Sequence, residues 1–309
     1  MSFRVPGKIE DIRDSLIITE TREISPDVRS VGLRTHATRF DNLTESDHLP
    51  RVADEFLVAS RNRRHDRETQ LSVTHYFTDA VTTVLSQVGV ESARDAERVP
   101  LGISATATAE FTDVIARRRS VREFSGGDLS LRQLAFLLRC GDSESAEVDA
   151  VLSDDGTVPL RLRTAPSGGG LYPVELWVAA RGVGGLRRGV YRYLPRADEL
   201  EQWSGEESVD AVLASCVDNA GGIELRSAAA VLLFVAQPWR SMRKYGPRGM
   251  RFVLHETGAI AQNVHLAATS LDVGSVDYSS YYDDETHAAL DIDGVFRAVV
   301  HMVLLGSLD

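Results

Sequence analysis

The segment Thr164–Pro173, with the sequence TAPSGGGLYP, constrains the fold of this chain more than any other stretch. Its glycine run carries no side-chain bulk, so backbone amides there can approach a ligand closely. Pro166 and Pro173 fix φ on either side and stiffen the segment. The glycine spacing matches neither a P-loop nor a G-x-G-x-x-G dinucleotide fingerprint. The segment therefore predicts a stiff loop, either a plain turn or a ligand cradle, that leads into an apolar strand.

A second feature is the basic run Arg118–Arg122, with the sequence RRSVR. Cations this close repel one another unless an anion gathers them, and a phosphate suits them because the guanidinium fork matches its oxygens. Ser120 adds a small donor and acceptor. Two interpretations follow from the residues alone: a phosphate-binding segment, or a solvated basic turn at a helix end.

The pair Lys244-Tyr245 is a third candidate for chemistry. A Lys or Tyr side chain acts as a base near neutral pH only if its pKa is lowered, by burial for Lys or by a neighbouring cation for Tyr. The adjacent Lys could supply that cation. The alternative is an exposed basic loop, because several arginines flank the pair. These are Arg240, Arg243, Arg248 and Arg251.

In their order along the chain, the three motifs resemble the nitroreductase-like FMN flavoproteins. Within that superfamily they resemble the SagB-type branch, the azoline dehydrogenases that oxidise thiazolines and oxazolines in ribosomally made peptides. The resemblance covers residues 106–309 and implies bound FMN. It also implies a homodimer with flavin at the interface, an azoline-containing precursor peptide as substrate, and a cyclodehydratase as a candidate partner.

The resemblance assigns flavin contacts to the first two motifs. Arg118 matches the residue that grips the flavin phosphate, and Ser120 and Arg122 match those along the ribityl chain and pyrimidine edge. A loop near flavin N5 is expected at residues 274–281, where Ser279 and Ser280 stand in place of smaller residues. The residues matched to the ring-facing loop are Pro166, Ser167, Gly168 and Gly169.

The same resemblance assigns proton transfer to Lys244 and Tyr245. Azoline oxidation removes a hydride and a proton from adjacent ring carbons, so a base is needed where the flavin cannot reach. Ordinary nitroreductases carry P-S-x-x-N-x-Q-P, whereas this chain has Gly170 and Tyr172 in place of Asn and Gln. That departure favours the azoline branch over simple nitro reduction.

Apolar patterning predicts the remaining architecture. Strands mixed with helices, without regular β-α-β alternation, indicate an α+β fold with a mostly antiparallel central sheet flanked by helices. Ser130 and Gln133 form a possible capping box for a helix that Gly141 ends. The acidic stretch 142–157 is expected to be a surface loop. The predicted strands are 174–180, 189–193, 228–236 and 297–306, and the longest predicted helix is 249–272.

Composition limits the remaining functions. A net charge of -11 argues against a nucleic-acid or anionic-membrane surface. His255 and His265 lack the i, i+4 spacing of a helical metal site, so no metal is expected. Residues 1–105 are expected to form an N-terminal extension for peptide capture or dimer contacts, before a catalytic domain at 106–309. With no signal peptide or membrane span apparent, a cytoplasmic protein is expected.

Three functions remain in competition. The first is FMN-dependent azoline oxidation on a heterocyclised peptide. The second is a reductase of the same fold that acts on nitro, quinone or dehydroamino-acid groups. The third is a catalytically silent flavin-binding scaffold of a peptide-modifying complex.

Overall fold

The computed structural model describes residues 49–61, 70–74, 96–151, 157–217 and 219–308. The chain divides into two units, residues 1–63 and 64–309. Helix α1 (Leu49–Ala59) belongs to the first unit. Most of the predicted extension, residues 1–105, lies outside the described residues, so its boundary and role stay predictions.

The second unit is built around an antiparallel sheet. The described strands, in chain order, are β1 (Arg98–Pro100), β2 (Leu129–Ser130), β3 (Glu144–Val151), β4 (Thr157–Arg163), β5 (Val174–Ala180), β6 (Val183–Gly184), β7 (Gly189–Leu194), β8 (Glu199–Ser204), β9 (Ala230–Ala236), β10 (Gly274–Tyr278) and β11 (Ala298–Gly306). The seven-stranded sheet has the order β1-β8-β7-β5-β9-β11-β10, and every neighbouring pair in it is antiparallel.

Helices cover both faces of this sheet. The other α-helices among the described residues are α2 (Phe111–Arg117), α3 (Leu131–Asp142), α4 (Glu206–Ala214), α5 (Pro238–Tyr245), α6 (Gly249–Ser270) and α7 (Asp283–Ala289). Two apolar clusters result, one involving α3 and α6 and one involving α4. Every residue of β5 and β9 is buried because both faces are covered. The predicted α+β fold with an antiparallel central sheet is confirmed.

Helix α3 begins at the predicted capping box. Ser130 Oγ accepts from the Gln133 backbone N–H at 3.2 Å, and Gln133 Oε1 accepts from the Ser130 N–H at 3.0 Å. The prediction that Gly141 ends the helix is wrong, because α3 continues to Asp142. A Cβ at Gly141 would lie 3.1 Å from Val264 Cγ2 of α6, so the glycine permits close helix packing instead.

Two predicted loops are strands. The stretch 142–157 contributes β3, which pairs antiparallel with β4. Arg161 crosses this ladder to Glu144 at 2.8 Å and to Glu147 at 3.2 Å, so the acidic residues have partners on the opposite strand. The stretch 274–281 begins with β10, which pairs with β11 from Gly274 to Tyr278. Only the residues after Tyr278 leave this ladder.

Candidate active site

The Gly-rich loop, residues 166–173, lies between β4 and β5 and includes a short 3-10 turn at Gly168–Gly170. Gly169 and Gly170 have φ of +73° and +64°, in the left-handed region that a Cβ disfavours. Tyr172 shares this region with φ of +45°, which is uncommon for a bulky residue. The backbone therefore requires glycine at the turn and holds Tyr172 under strain.

The Lys-Tyr pair lies directly against this loop. A Cβ on Gly169 would lie 3.1 Å from Lys244 Nζ and would overlap Tyr245 Oη. Lys244 is only 3% exposed, and burial lowers the pKa of its ammonium group. The exposed-loop interpretation therefore does not describe Lys244. Two motifs that are more than 70 residues apart in the chain meet at Gly169.

Packing between α5 and α6 fixes the position of the pair. Gly249, at the start of α6, lies so close to α5 that a Cβ would be 2.6 Å from the Ser241 carbonyl carbon. The Tyr245 ring packs edge-on against Phe252 of α6, with centroids 4.8 Å apart and planes at 80°. Lys244 Nζ lies 5.3 Å from the centroid of the Tyr245 ring.

Tyr172 turns inward from the Gly-rich loop. It is 6% exposed, and its hydroxyl accepts from the Arg163 backbone N–H at 2.9 Å. The Arg163 guanidinium lies 4.7 Å from the centroid of its ring. The Tyr172 N–H donates to Ser167 Oγ at 2.9 Å, which closes the loop. The tyrosine that replaces the usual glutamine therefore supports the loop from beneath.

Glu256 of α6 lies beneath the Gly-rich loop and is 2% exposed. Its Oε1 accepts from the Val174 N–H at 3.2 Å, and its carboxyl group lies near the Ser167 side chain. Burial raises the pKa of this carboxyl to about 8. At neutral pH Glu256 is therefore mostly a neutral carboxylic acid.

A buried ionic cluster continues from this carboxyl. Asp142, fully buried, pairs with Arg163 at 2.7 Å. Burial raises the pKa of Asp142 to about 6 although Arg163 opposes the shift. Arg240 of α5 is 9% exposed, and burial lowers its pKa to about 10 while nearby Glu256 and Glu175 oppose that shift. The Gly-rich loop therefore lies over a group of buried charged side chains, whose positions are fixed by the surrounding core.

The basic run is more exposed. Arg118 ends α2 and is half-buried together with Ser120, whereas Arg122 is exposed. Arg122 Nη1 donates to the Ser120 carbonyl oxygen at 3.4 Å. Arg119 donates to the carbonyl oxygens of Ala116 and Arg118, so it is turned back onto its own helix. Within the described part of the chain, no carboxylate forms an ion pair with Arg118 or Arg122.

The basic run and the Gly-rich loop lie at opposite ends of the sheet. Val174 pairs with Ala236, which in turn pairs with Ala298 at the start of β11. Val121 instead donates to the Ser275 carbonyl at 3.0 Å, beside the end of β11. The nine residues of β11 span roughly 26 Å at about 3.3 Å per residue. The two predicted parts of the flavin site are therefore not brought together within one chain.

Ser279 and Ser280 follow β10 at the end of the sheet that carries the Gly-rich loop. Ser279 is exposed, and the Ser280 carbonyl accepts from the Val217 N–H at 2.8 Å. Tyr278 Oη also bonds the Val217 carbonyl at 2.5 Å. Their place at this end of the sheet agrees with the expected ring-edge loop, while their flavin contact stays a prediction.

A separate polar cluster joins α6, β10 and β11. Asp277 Oδ1 is bonded by His265 Nε2 at 2.9 Å and by His301 Nε2 at 2.8 Å. These two bonds hold the pKa of Asp277 below its ordinary value. The other ring nitrogen of His265 bonds Ser275 Oγ at 2.9 Å. This cluster fixes the strand on which the basic run docks.

The described residues hold no group of three or more His, Cys, Asp or Glu side chains arranged to bind a metal ion. None of the helices among them combines the length and apolar character needed to cross a bilayer.

Comparison with known proteins identifies the family of this chain. The family model described as the nitroreductase family matches residues 115–307. This chain belongs to the nitroreductase family. Members of this family bind flavin, and membership supports an oxidoreductase. The predicted resemblance to nitroreductase-like flavoproteins is thereby confirmed.

Two relatives refine the position of this chain within the family. MJ1384 of Methanocaldococcus jannaschii, named as a nitroreductase, is 35% identical over 183 residues, which are 59% of this chain and 85% of MJ1384. The microcin B17-processing protein McbC of Escherichia coli is 27% identical over 135 residues, which are 42% of this chain and 49% of McbC. The match spans about half of McbC and supports the SagB-type branch.

Solved structures agree on the nitroreductase fold. A nitroreductase-family structure from Anabaena variabilis has a TM-score of 0.56 at 24% identity, covering 72% of this chain and 44% of that one. A chain of the E. coli microcin synthetase McbBCD complex with truncated pro-MccB17 has a TM-score of 0.53 at 21% identity, covering 89% and 98%. At these identities both likenesses show the fold alone.

Sequence reasoning missed the buried carboxyl groups beneath the Gly-rich loop. Glu256 interrupts the apolar stripe of α6 between Val253 and Ile260, and Asp142 continues the stripe of α3 four residues after Leu138. A carboxylate within an apolar helical face is the signal that could have found them, because burial of an unpaired charge is costly.

Proposed function

We propose that this protein is an FMN-dependent dehydrogenase that oxidises thiazoline or oxazoline rings to thiazoles or oxazoles in a ribosomally made peptide. The observation that carries the proposal is the buried Lys244 ammonium, held beside Tyr245 against Gly169. The similarity to McbC, named for microcin B17 processing, supports the substrate class. The fold shared with a chain of the McbBCD complex is consistent with it.

The residues present fit FMN. Arg118 and Arg122 are cations that no described carboxylate pairs, which suits a phosphate. Gly168 and Gly169 offer bare backbone beside the buried ammonium, and Pro166 and Ser167 begin that loop. The chain has no dinucleotide fingerprint, which favours FMN over FAD. When bound, FMN would supply the ring that accepts a hydride.

The proton is the task of Lys244 and Tyr245. Azoline oxidation releases a proton from the carbon next to the one that loses the hydride. Because burial lowers its pKa, Lys244 holds more neutral amine near pH 7 than a solvated lysine does, and it can accept that proton. Tyr245 is half-buried beside it, and its hydroxyl, like the amine, lies against Gly169.

The complete site requires two chains in this proposal. The cations at Arg118 and Arg122 lie at one end of the sheet, and the Gly-rich loop with Lys244 lies at the other. A homodimer with flavin between protomers lets one chain supply the phosphate cations and its partner the loop. Residues 1–105 are assigned to peptide capture or dimer contacts, and a cyclodehydratase is the proposed upstream partner.

The deciding experiment is turnover of a synthetic thiazoline peptide with oxygen as terminal oxidant. Released cofactor is identified by chromatography, and the peptide product by a mass decrease of two hydrogens. We expect FMN and thiazole formation. A protein that reduces nitro or quinone compounds but leaves the thiazoline unchanged is the reductase alternative. A flavin-loaded protein with neither activity is the scaffold alternative, and absence of flavin after reconstitution overturns all three.

A further inference from the structure

Helix α6 presents two residues, one turn apart, to the underside of the Gly-rich loop. A Cβ on Gly168 would lie 2.9 Å from Phe252 Cγ, so this ring covers the loop directly. Glu256 follows four residues later on the same helical face. Phe252 provides an apolar contact, whereas Glu256 provides a directional hydrogen bond to the backbone.

Glu256 bonds the backbone at the end of the loop and lies near its first turn. Its Oε1 accepts from the Val174 N–H at 3.2 Å, immediately after the loop. Its carboxyl group also lies near the Ser167 side chain, whose oxygen accepts from the Tyr172 N–H at 2.9 Å. One buried carboxyl group therefore adjoins both the first turn of the loop and the start of β5.

The loop needs such a constraint because its backbone is strained. Gly169, Gly170 and Tyr172 all have positive φ, and only the glycines tolerate it without cost. The apex at Gly169 must also stay against Lys244 Nζ and Tyr245 Oη. A loop released at either end can leave this contact while the rest of the core stays folded.

From these contacts we infer that Glu256 is a positioning residue, which sets the Gly-rich loop against Lys244 and Tyr245 by bonding the backbone at the end of the loop, at Val174. The inference depends on the proposed function only in assigning flavin contact to the Gly-rich loop. Glu256 acts through the loop and is not assigned a contact with substrate or flavin.

The surroundings of Glu256 indicate that it works in its neutral form. Among the described residues, its Oε2 is buried without a hydrogen-bond partner, a position that suits a proton better than a charge. The titratable groups that affect its pKa are Asp142 of α3 and Arg163 of β4, and it in turn affects Arg240 of α5 and Tyr172 of the loop. Despite the two arginines, burial keeps its pKa near 8.

The pH dependence of the loop follows from this shift. Opening the loop admits water, and the pKa of Glu256 then falls toward its ordinary value of 4.5. The closed loop therefore binds the proton more tightly than the open one. Raising the pH from 4.5 to about 8 favours opening, and above about 8 the effect levels off.

Hydrogen exchange of the amides of residues 167–174 tests the inference without any assay of oxidation. In the wild-type protein, protection relative to Glu256→Gln should fall as pH rises from about 5 to about 8, by up to about tenfold per pH unit. Glu256→Gln keeps an acceptor and cannot ionise, so it is the matched control. Glu256→Ala should lose protection about tenfold at low pH, since it lacks the bond to the Val174 N–H.

Asp142 also titrates in this range, but it is present in both wild type and Glu256→Gln, so their difference isolates Glu256. Equal pH dependence in the two proteins overturns the inference, as does full protection in Glu256→Ala. If Glu256→Ala does not fold, the comparison of wild type with Glu256→Gln decides alone. A failed thiazoline assay with the expected exchange pattern removes only the proposed function.

Discussion

The two ends of the sheet are built in different ways. At the Gly-rich-loop end, Lys244, Glu256 and Asp142 are all no more than 3% exposed and are held by neighbouring elements. At the other end, the exposed Arg122 side chain donates to the Ser120 carbonyl of its own segment, and Arg117 pairs with an exposed Asp272 at 3.1 Å. The difference teaches that contacts within one chain fix the residues proposed for proton transfer, whereas the arginines proposed for phosphate binding are left more exposed.

The largest expected effect is at the loop end. Lys244→Ala and Tyr245→Phe should each retain bound flavin and lose about 10²- to 10⁴-fold in azoline oxidation rate, because they remove general acid–base help. Flavin absorbance of the purified variants, measured beside kcat, separates chemistry from cofactor binding. Normal turnover by both variants would show that the pair is only part of the helix.

Stability should also distinguish the two ends. Asp142→Ala leaves Arg163 buried without its closest charge partner and should lower the free energy of unfolding by about 3–5 kcal/mol. Asp272→Asn breaks an exposed pair and should cost at most about 1 kcal/mol. Urea denaturation of both variants gives the comparison. Similar losses would mean that the loop end is not the more tightly organised one.

The affinity for FMN should depend on the basic run, at the opposite end of the sheet from the Gly-rich loop. Arg118→Ala should weaken FMN binding by about one to two decades in Kd, since a charge-assisted contact contributes about 1.5–3 kcal/mol. Arg119→Ala is the control and should lose less, because Arg119 is bonded to the carbonyls of Ala116 and Arg118. Fluorescence titration with FMN measures both. Equal losses would place the phosphate on a different face.

The smallest effect concerns the division of the site between chains. Arg118→Ala and Lys244→Ala subunits, mixed equally and allowed to exchange, should recover about a quarter of wild-type activity at limiting FMN. Half of the dimers are then mixed, and one of the two sites in each is intact. Each variant alone is the control. No recovery, with subunit exchange verified by mass, would contradict a site shared between protomers.

Local sequence patterns predicted much of this fold. The strands 174–180 and 230–236 and the helix α6 are continuous or periodic apolar segments, which depend little on distant partners. The capping box at Ser130 is equally local. By contrast, the acidic sequence of β3 gives no local strand signal. The partner of Glu144 and Glu147 is Arg161, which lies on another strand.

The candidate site divides in the same way. Glycines, prolines and the Lys-Tyr pair could be recognised from their order, but the meeting of Gly169 with Lys244 depends on how α5 packs on α6. Glu256 was missed because a single carboxylate in an amphipathic helix gives no sign of its direction. Only the fold shows that it faces Ser167 and Val174.

The inward turn of Tyr172 has a consequence for protein engineering. In the sequence, the Gly-rich loop looks like an independent cassette that could be exchanged with a relative carrying Asn and Gln. Yet its tyrosine hydroxyl accepts from the backbone N–H of Arg163 of β4, and the residue that follows it, Val174, bonds Glu256 of α6. A loop grafted into another protein would lose these hydrogen-bond partners. The smallest transferable unit is therefore the loop together with Arg163 and Glu256.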